Sequence, residues 1–155
     1  MYSDNNLVVS GGVSAAGVVT FQTVTGATAV LSTNTVDLGV ARDLGEGEDL
    51  YLRAEVGTAF AGLTALDIEV IGADDAALGT NVVSIAAIKG IPVAKLVAGA
   101  RFAVDLSPQI GSNGKRFLGV RFTPTGTGTA GTIFADFGFD VQDTGKGYAS
   151  GINII

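Results

Sequence analysis

Apolar and polar residues alternate with a period of two along much of this chain. That period decides the backbone, because successive side chains of a strand point to opposite faces. In the stretch "DLYLRAEV", Leu50, Leu52, Ala54 and Val56 share one face while Tyr51, Arg53 and Glu55 share the other. The same spacing sets Leu66, Ile68 and Val70 against Asp67 and Glu69, and Phe102, Val104 and Leu106 against Arg101 and Asp105. It recurs for Leu118, Val120 and Phe122 against Arg121, and for Ile133, Ala135, Phe137, Phe139 and Val141 against Asp136 and Asp140. Each of these reads as a half-buried strand.

Weaker strand patterns cover Leu7 to Ser10, Val18 to Val24, Val36 to Val40 and Val82 to Ile88. The best helical candidate, "IPVAKLVAGA", has room for only about two turns between Pro92 and Gly99. The expected fold is therefore all-β: a jelly-roll-like sandwich of about eight strands, with an immunoglobulin-like sandwich as the alternative. A chain of 155 residues suits one domain, taken here as 1–155. No residue from Asn5 to Val36 is charged, and neither is any in the tail "GYASGINII". Such segments lack the charges that keep exposed strands solitary, so 1–17 and 147–155 are candidate arms for packing on another subunit.

Composition removes most familiar chemistry. The formal net charge is -6, and no basic run exceeds Lys115-Arg116, so neither nucleic acid nor an anionic membrane is expected as a partner. The chain has no cysteine and no histidine, which excludes disulfides, thiolate catalysis, a Ser-His-Asp triad and every Cys- or His-ligated zinc site. The opening "MYSDNNLVVSGG" lacks the pattern of a secretory signal, and a soluble protein made in the cytoplasm is expected.

Several short motifs resemble chemical sites and fail on context. "GTGTAG" at Gly126 to Gly131 has the letters of a dinucleotide fingerprint, but that site needs a helix next, and the strand pattern "TIFADFGFD" follows. It reads as a hairpin loop between Phe122 and Ile133. "GSNGKR" at Gly111 to Arg116 lacks the spacing of a P-loop and reads as a turn at Asn113-Gly114. Asp136 and Asp140 share a strand face at roughly 13 Å, too far for the roughly 5 to 9.5 Å of paired glycosidase carboxylates. A solvated or subunit-facing surface, with a salt bridge from Arg121 to one of them, is expected instead. Glu46, Glu48 and Asp49 lack the alternating ligand spacing of a calcium loop. They read as a wet connection made tight by Gly45 and Gly47. No catalytic residue, cofactor or metal is expected, and the chain is read as a non-enzyme.

Several pieces, in order, carry a family likeness: "STNTVDLGVARDLGEGEDLYLRAEV" from Ser32, "IPVAKLVAGARF" from Ile91, "KRFLGVRFT" from Lys115, "GTAGTIFADFGFDVQD" from Gly128 and "YASGI" from Tyr148. Together they resemble the capsid cement, or decoration, proteins of short-tailed bacteriophages of the Bordetella phage type. The resemblance implies a jelly-roll sandwich on the outer surface of an assembled phage head, bridging major capsid protein subunits. It implies no catalytic residue. Under it the protein is expected in the virion, as a dimer or trimer. Candidate subunit or capsid contacts are Arg42, Asp43, Glu46, Glu48, Asp49, Tyr148, Ile152, Ile154 and Ile155. A carbohydrate-binding or adhesin-like sandwich, or another phage tail or fibre component, stays open; a glycan platform would have no Trp and three Tyr to draw on.

Overall fold

The computed structural model describes residues 5–40, 50–106 and 114–138. Twelve strands lie within them, and the only helical pieces are two single 3-10 turns, Asn5–Leu7 and Val93–Lys95. The short N-terminal strands are β1 (Val8–Ser10), β2 (Gly12–Val13), β3 (Val19–Thr20), β4 (Gln22–Thr23), β5 (Val30–Leu31) and β6 (Val36–Asp37). The longer ones are β7 (Leu50–Val56), β8 (Ala61–Ala73), β9 (Val83–Pro92), β10 (Arg101–Leu106), β11 (Phe117–Ala130) and β12 (Thr132–Gly138).

Two antiparallel sheets make a sandwich. The first runs β1-β12-β7-β10, with β4 also on β12; the second runs β5-β11-β8-β9, with β6 also on β11. If β5 and β6 count as one interrupted strand and β2 to β4 are set aside, the orders are about 1-8-3-6 and 2-7-4-5, the double Greek key of a jelly roll. An immunoglobulin-like order is overturned, since it would pair the first strand with the second rather than with the last.

The alternating residues do what their period requires. Leu52, Ala54, Val56, Leu66, Ile68, Val70, Leu118, Val120, Phe122, Ile133 and Ala135 are all buried between the sheets in one core. Burying a side chain of this size contributes about 1.5 to 3 kcal/mol each before entropy is set against it. Leu96, fully buried, closes one end of this core, and its carbonyl accepts the Phe60 N–H at 3.0 Å. The expected two-turn helix shrinks to the 3-10 turn before Leu96, because Pro92 is still extended and Leu96 already leaves helical geometry.

Other local expectations change. Val18 to Val24 splits into β3 and β4 on either side of Phe21. Gly126 to Gly131 is no hairpin loop: β11 runs on to Ala130, and one residue, Gly131, passes the chain into β12 of the other sheet. That crossing demands glycine. Gly131 has φ +146, and an added Cβ would strike the Phe60 ring.

Gly131→Ala should cost about 2 to 4 kcal/mol, from the positive φ and the clash together. Thermal unfolding followed by circular dichroism checks it: a fall in Tm of about 5 °C or more is expected, on the scaling of about 2 to 4 °C per kcal/mol for a chain of this size.

Candidate interaction surface

All nine contacts expected from the sequence, Arg42, Asp43, Glu46, Glu48, Asp49, Tyr148, Ile152, Ile154 and Ile155, lie outside the described residues, as do Phe139, Asp140 and Val141. What the described residues offer is the outer surface of each sheet and the charge-free N-terminal segment that reaches from one to the other.

On the first sheet, β12 is buried on both faces. Ile133, Ala135 and Phe137 point into the core, while Phe134 and Asp136 point outward and are still only 2% and 0% exposed. Phe21 stacks edge-on against Phe134, ring centroids 6.3 Å apart at 69°. Gly11 lies so close beneath the β2–β3 hairpin that a Cβ there would strike the Thr20 carbonyl. Gln22 ties this layer down: its Oε1 accepts from the Ser10 hydroxyl at 2.6 Å and the Thr33 N–H at 3.2 Å, and its Nε2 donates to the Leu31 carbonyl at 2.7 Å. Asn34 adds a second tie, its Nδ2 donating to the Val8 carbonyl at 3.3 Å. Neither amide was singled out from the sequence; the signal was a lone Gln and a lone Asn among hydroxyl and apolar residues.

Asp136 does not meet Arg121, and it is not a surface group. Arg53 stands directly opposite it in the β7–β12 register and donates Nε to Oδ1 at 3.0 Å and Nη2 to Oδ2, a bidentate fork. Gly138 leaves room for it, since a Cβ there would sit 2.6 Å from the Arg53 Cζ. Arg121 belongs to the other sheet and bonds Glu69, its register partner on β8.

On the second sheet the outward residues form paired rows. Leu31, Arg121, Glu69 and Ala87 follow one another across β5, β11, β8 and β9. Burial pushes the Glu69 carboxyl up, but hydrogen bonds from Ser84 and Arg121 outweigh it and hold the group below its usual value. Further along, residues 74–82 fold back as a flap. Leu78, at φ +56, packs with Ile71, Ala73, Val82 and Phe117, and it covers Gly119 so closely that no Cβ would fit. The Asp75 carboxylate holds the flap's turn, accepting from Thr80 N–H at 2.7 Å and Gly79 N–H at 3.0 Å. Asp74 accepts from Asn81 at 2.8 Å and from Lys115 at 3.0 Å. At the far edge Arg116 forks onto Asp37 at 2.7 and 2.8 Å and lies over the Phe117 ring.

The charges of these faces are thus mostly neutralised in place, and the depressed carboxylates serve as anchors for the chain. Among the described residues no group of three His, Cys, Asp or Glu is arranged to hold a metal ion. Among the described residues the exposed large apolar side chains are Val18 at 60%, Val40 at 57%, Val97 at 53%, Val19 at 44% and, at the sheet edge, Leu31 at 38%. Val18 and Val19 sit on the β2–β3 hairpin, where every residue from Ser14 to Thr20 is exposed and none is charged. Ser14 shapes its tip, with its Oγ and carbonyl accepting from the Val18 and Gly17 N–H groups. This is a projecting apolar prong.

A scan against protein families matches the Bbp16 family over residues 6–137. The chain belongs to the Bbp16 family. That match takes in both sheets, the prong and the flap, and the family's name suggests a Bordetella phage protein. No curated protein matches this Bbp16 chain.

Two outcomes follow from these pairs. Asp136→Ala should lose about 3 to 5 kcal/mol by removing the buried carboxylate that the Arg53 guanidinium forks onto, whereas Arg53→Met with Asp136→Leu should fall closer to wild type than Asp136→Ala does; urea unfolding of the three proteins decides this. The second concerns acid. The Arg116 guanidinium and the Gly39 N–H hold the Asp37 carboxyl down to about 2, against 3.8 when unperturbed. A carboxyl depressed by folding stabilises above its unfolded value, and that contribution is lost as pH falls from 3.8 toward 2. Melting curves across this window should show a shallower loss for Asp37→Asn than for wild type.

Proposed function

We propose that this protein is a bacteriophage capsid cement protein that binds the outer surface of the assembled head and bridges neighbouring major capsid protein subunits. Membership of the Bbp16 family carries the reading, since the family's name suggests a phage protein and the match spans nearly all the described fold. The jelly roll agrees with it, being a sandwich whose exposed connections, the β2–β3 hairpin among them, can serve as contacts. So does the surface, where paired charges leave the apolar prong at Val18 and Val19 as an uncompensated patch.

The mechanism is stabilisation by mass action. A protein that binds the assembled shell and not its loose subunits shifts the equilibrium toward the shell by its differential affinity. Because one molecule bridges several subunits, each contact can be modest while the linked set holds tightly through effective concentration. No catalytic step enters. The protein is made in the host cytoplasm and resides in the virion, and the nine contacts named from the sequence belong to its capsid- or subunit-facing surface under this reading.

Heads stripped of the protein test it. Purified protein is expected to co-sediment with them and to restore their resistance to heat, while Val18→Ser with Val19→Ser binds more weakly at unchanged Tm. No co-sedimentation, or heads equally heat-resistant without the protein, would rule the cement role out; affinity for a glycan panel instead would favour the adhesin-like reading.

A further inference from the structure

The flap, residues 74–82, joins β8 to β9 and packs in a hydrophobic cluster separate from the main core. From Asp74 to Asn81 only Leu78 is buried. Its side chain seats among Ile71, Ala73, Val82 and Phe117, in the space that Gly119 leaves by having no Cβ. The seat is held against strain, because Leu78 and Asn81 both have positive φ, +56 and +49, which a side chain adopts only when its surroundings impose it. One inserted side chain between two strained residues makes a closed state that needs fastening.

The fasteners are carboxylates. Asp75 Oδ1 accepts both the Thr80 and the Gly79 N–H, while Asp74 accepts from Asn81 on Oδ2 and from Lys115 on Oδ1. Lys115 is placed for this by its stem, which lies against Gly72, 3.0 Å from where a Cβ would stand, at the root of the flap. These bonds hold both carboxyls below the usual 3.8: for Asp74 those from Asn81 and Lys115, for Asp75 those from the Thr80 and Gly79 backbone. A carboxyl depressed by closure stabilises the closed flap above 3.8, and that contribution fades as pH falls below it. The other charges around the flap are engaged elsewhere: Arg116 with Asp37, Arg121 and Lys89 with Glu69, and Asp67 with the Gly90 N–H. Acid therefore unfastens the flap at Asp74 and Asp75.

We propose that the flap is an acid-released plug: protonation of Asp74 and Asp75 frees it, Leu78 leaves its seat, and the outer face of the second sheet gains an apolar site while the sandwich stays folded. The main core does not depend on Leu78, which belongs to the other cluster, so opening leaves the facing sheets in place. What opening uncovers is Ile71, Ala73, Val82 and Phe117 beside the Gly119 backbone. The plug works in the free chain and is independent of head binding.

Hydrogen exchange of the full chain, read by mass spectrometry, tests it, with a dye that fluoresces on apolar surface as the second readout. From about pH 7 to about pH 3, protection at 74–82, corrected for the intrinsic rate, should fall about tenfold or more while 66–70 and 118–122 stay protected and dye binding rises. Lys115→Met removes one fastener of Asp74 and should move this transition to higher pH. Asp74→Ala with Asp75→Ala should show the open pattern already at about pH 7 with the circular dichroism of the sheets unchanged, which separates release of the plug from acid unfolding. Wild-type protection at 74–82 that does not change with pH overturns the proposal, as does its loss only together with 66–70. A folded double variant that keeps wild-type protection at neutral pH overturns it as well.

Discussion

Burial of β12 on both faces is the constraint around which the rest of this molecule is arranged. An inner strand of an antiparallel sandwich normally has one face in the core and one in water. β12 has its outer face covered as well, so Phe134 needs an apolar lid and Asp136 needs a counter-charge. Phe21 is part of the lid and Arg53 the counter-charge. Most of the N-terminal segment follows from that need: β1 and β4 pair with β12, and Gln22 binds the strands around them. A charge-free sequence suits such a covering layer, because any ionised side chain turned inward there would have to be paired.

What could be read from the sequence follows from the same physics. Where a strand has one wet face, alternation reports it faithfully, as at Leu50 to Val56 and Arg101 to Leu106. At Asp136 the alternation is right and the inference from it wrong, since a polar residue on the non-core parity says nothing about what lies above it. The partner of Arg121 was misread for a different reason. Nearness in sequence order does not tell which of two sheets a strand enters, and Arg121 and Asp136 prove to be on opposite sheets. The Gly and Thr content of Gly126 to Gly131 suggested a loop, yet β-branched Thr alternating with Gly also makes an extended strand in which the glycines accommodate close backbone approach. The contact residues named from the sequence fall outside the described residues; the exposed prong, the flap and the Gln22 hub came from tertiary packing that no local pattern encodes.

The distribution of charge separates two kinds of surface. Ion pairs at Arg53–Asp136, Arg101–Glu55, Arg121–Glu69, Arg116–Asp37 and Lys115–Asp74 run between strands, from strand to loop or, for Lys115–Asp74, between loops. The exposed pairs among these, unlike Arg53–Asp136, contribute little stability, but they fix register and leave those faces without a strong field. The β2–β3 hairpin has no such pairs and no charge to lose on contact, so covering it with another apolar surface carries no electrostatic desolvation penalty.

The passage from β11 to β12 through Gly131 alone has a mechanical consequence. Most sandwiches join their sheets through loops that can stretch before load reaches the far layer. Here a pull on β12 reaches β11 across one residue, and β11 lies along β8 for most of its fourteen residues. The two layers therefore have almost no slack at that corner, so a displacement of one is passed directly to the other.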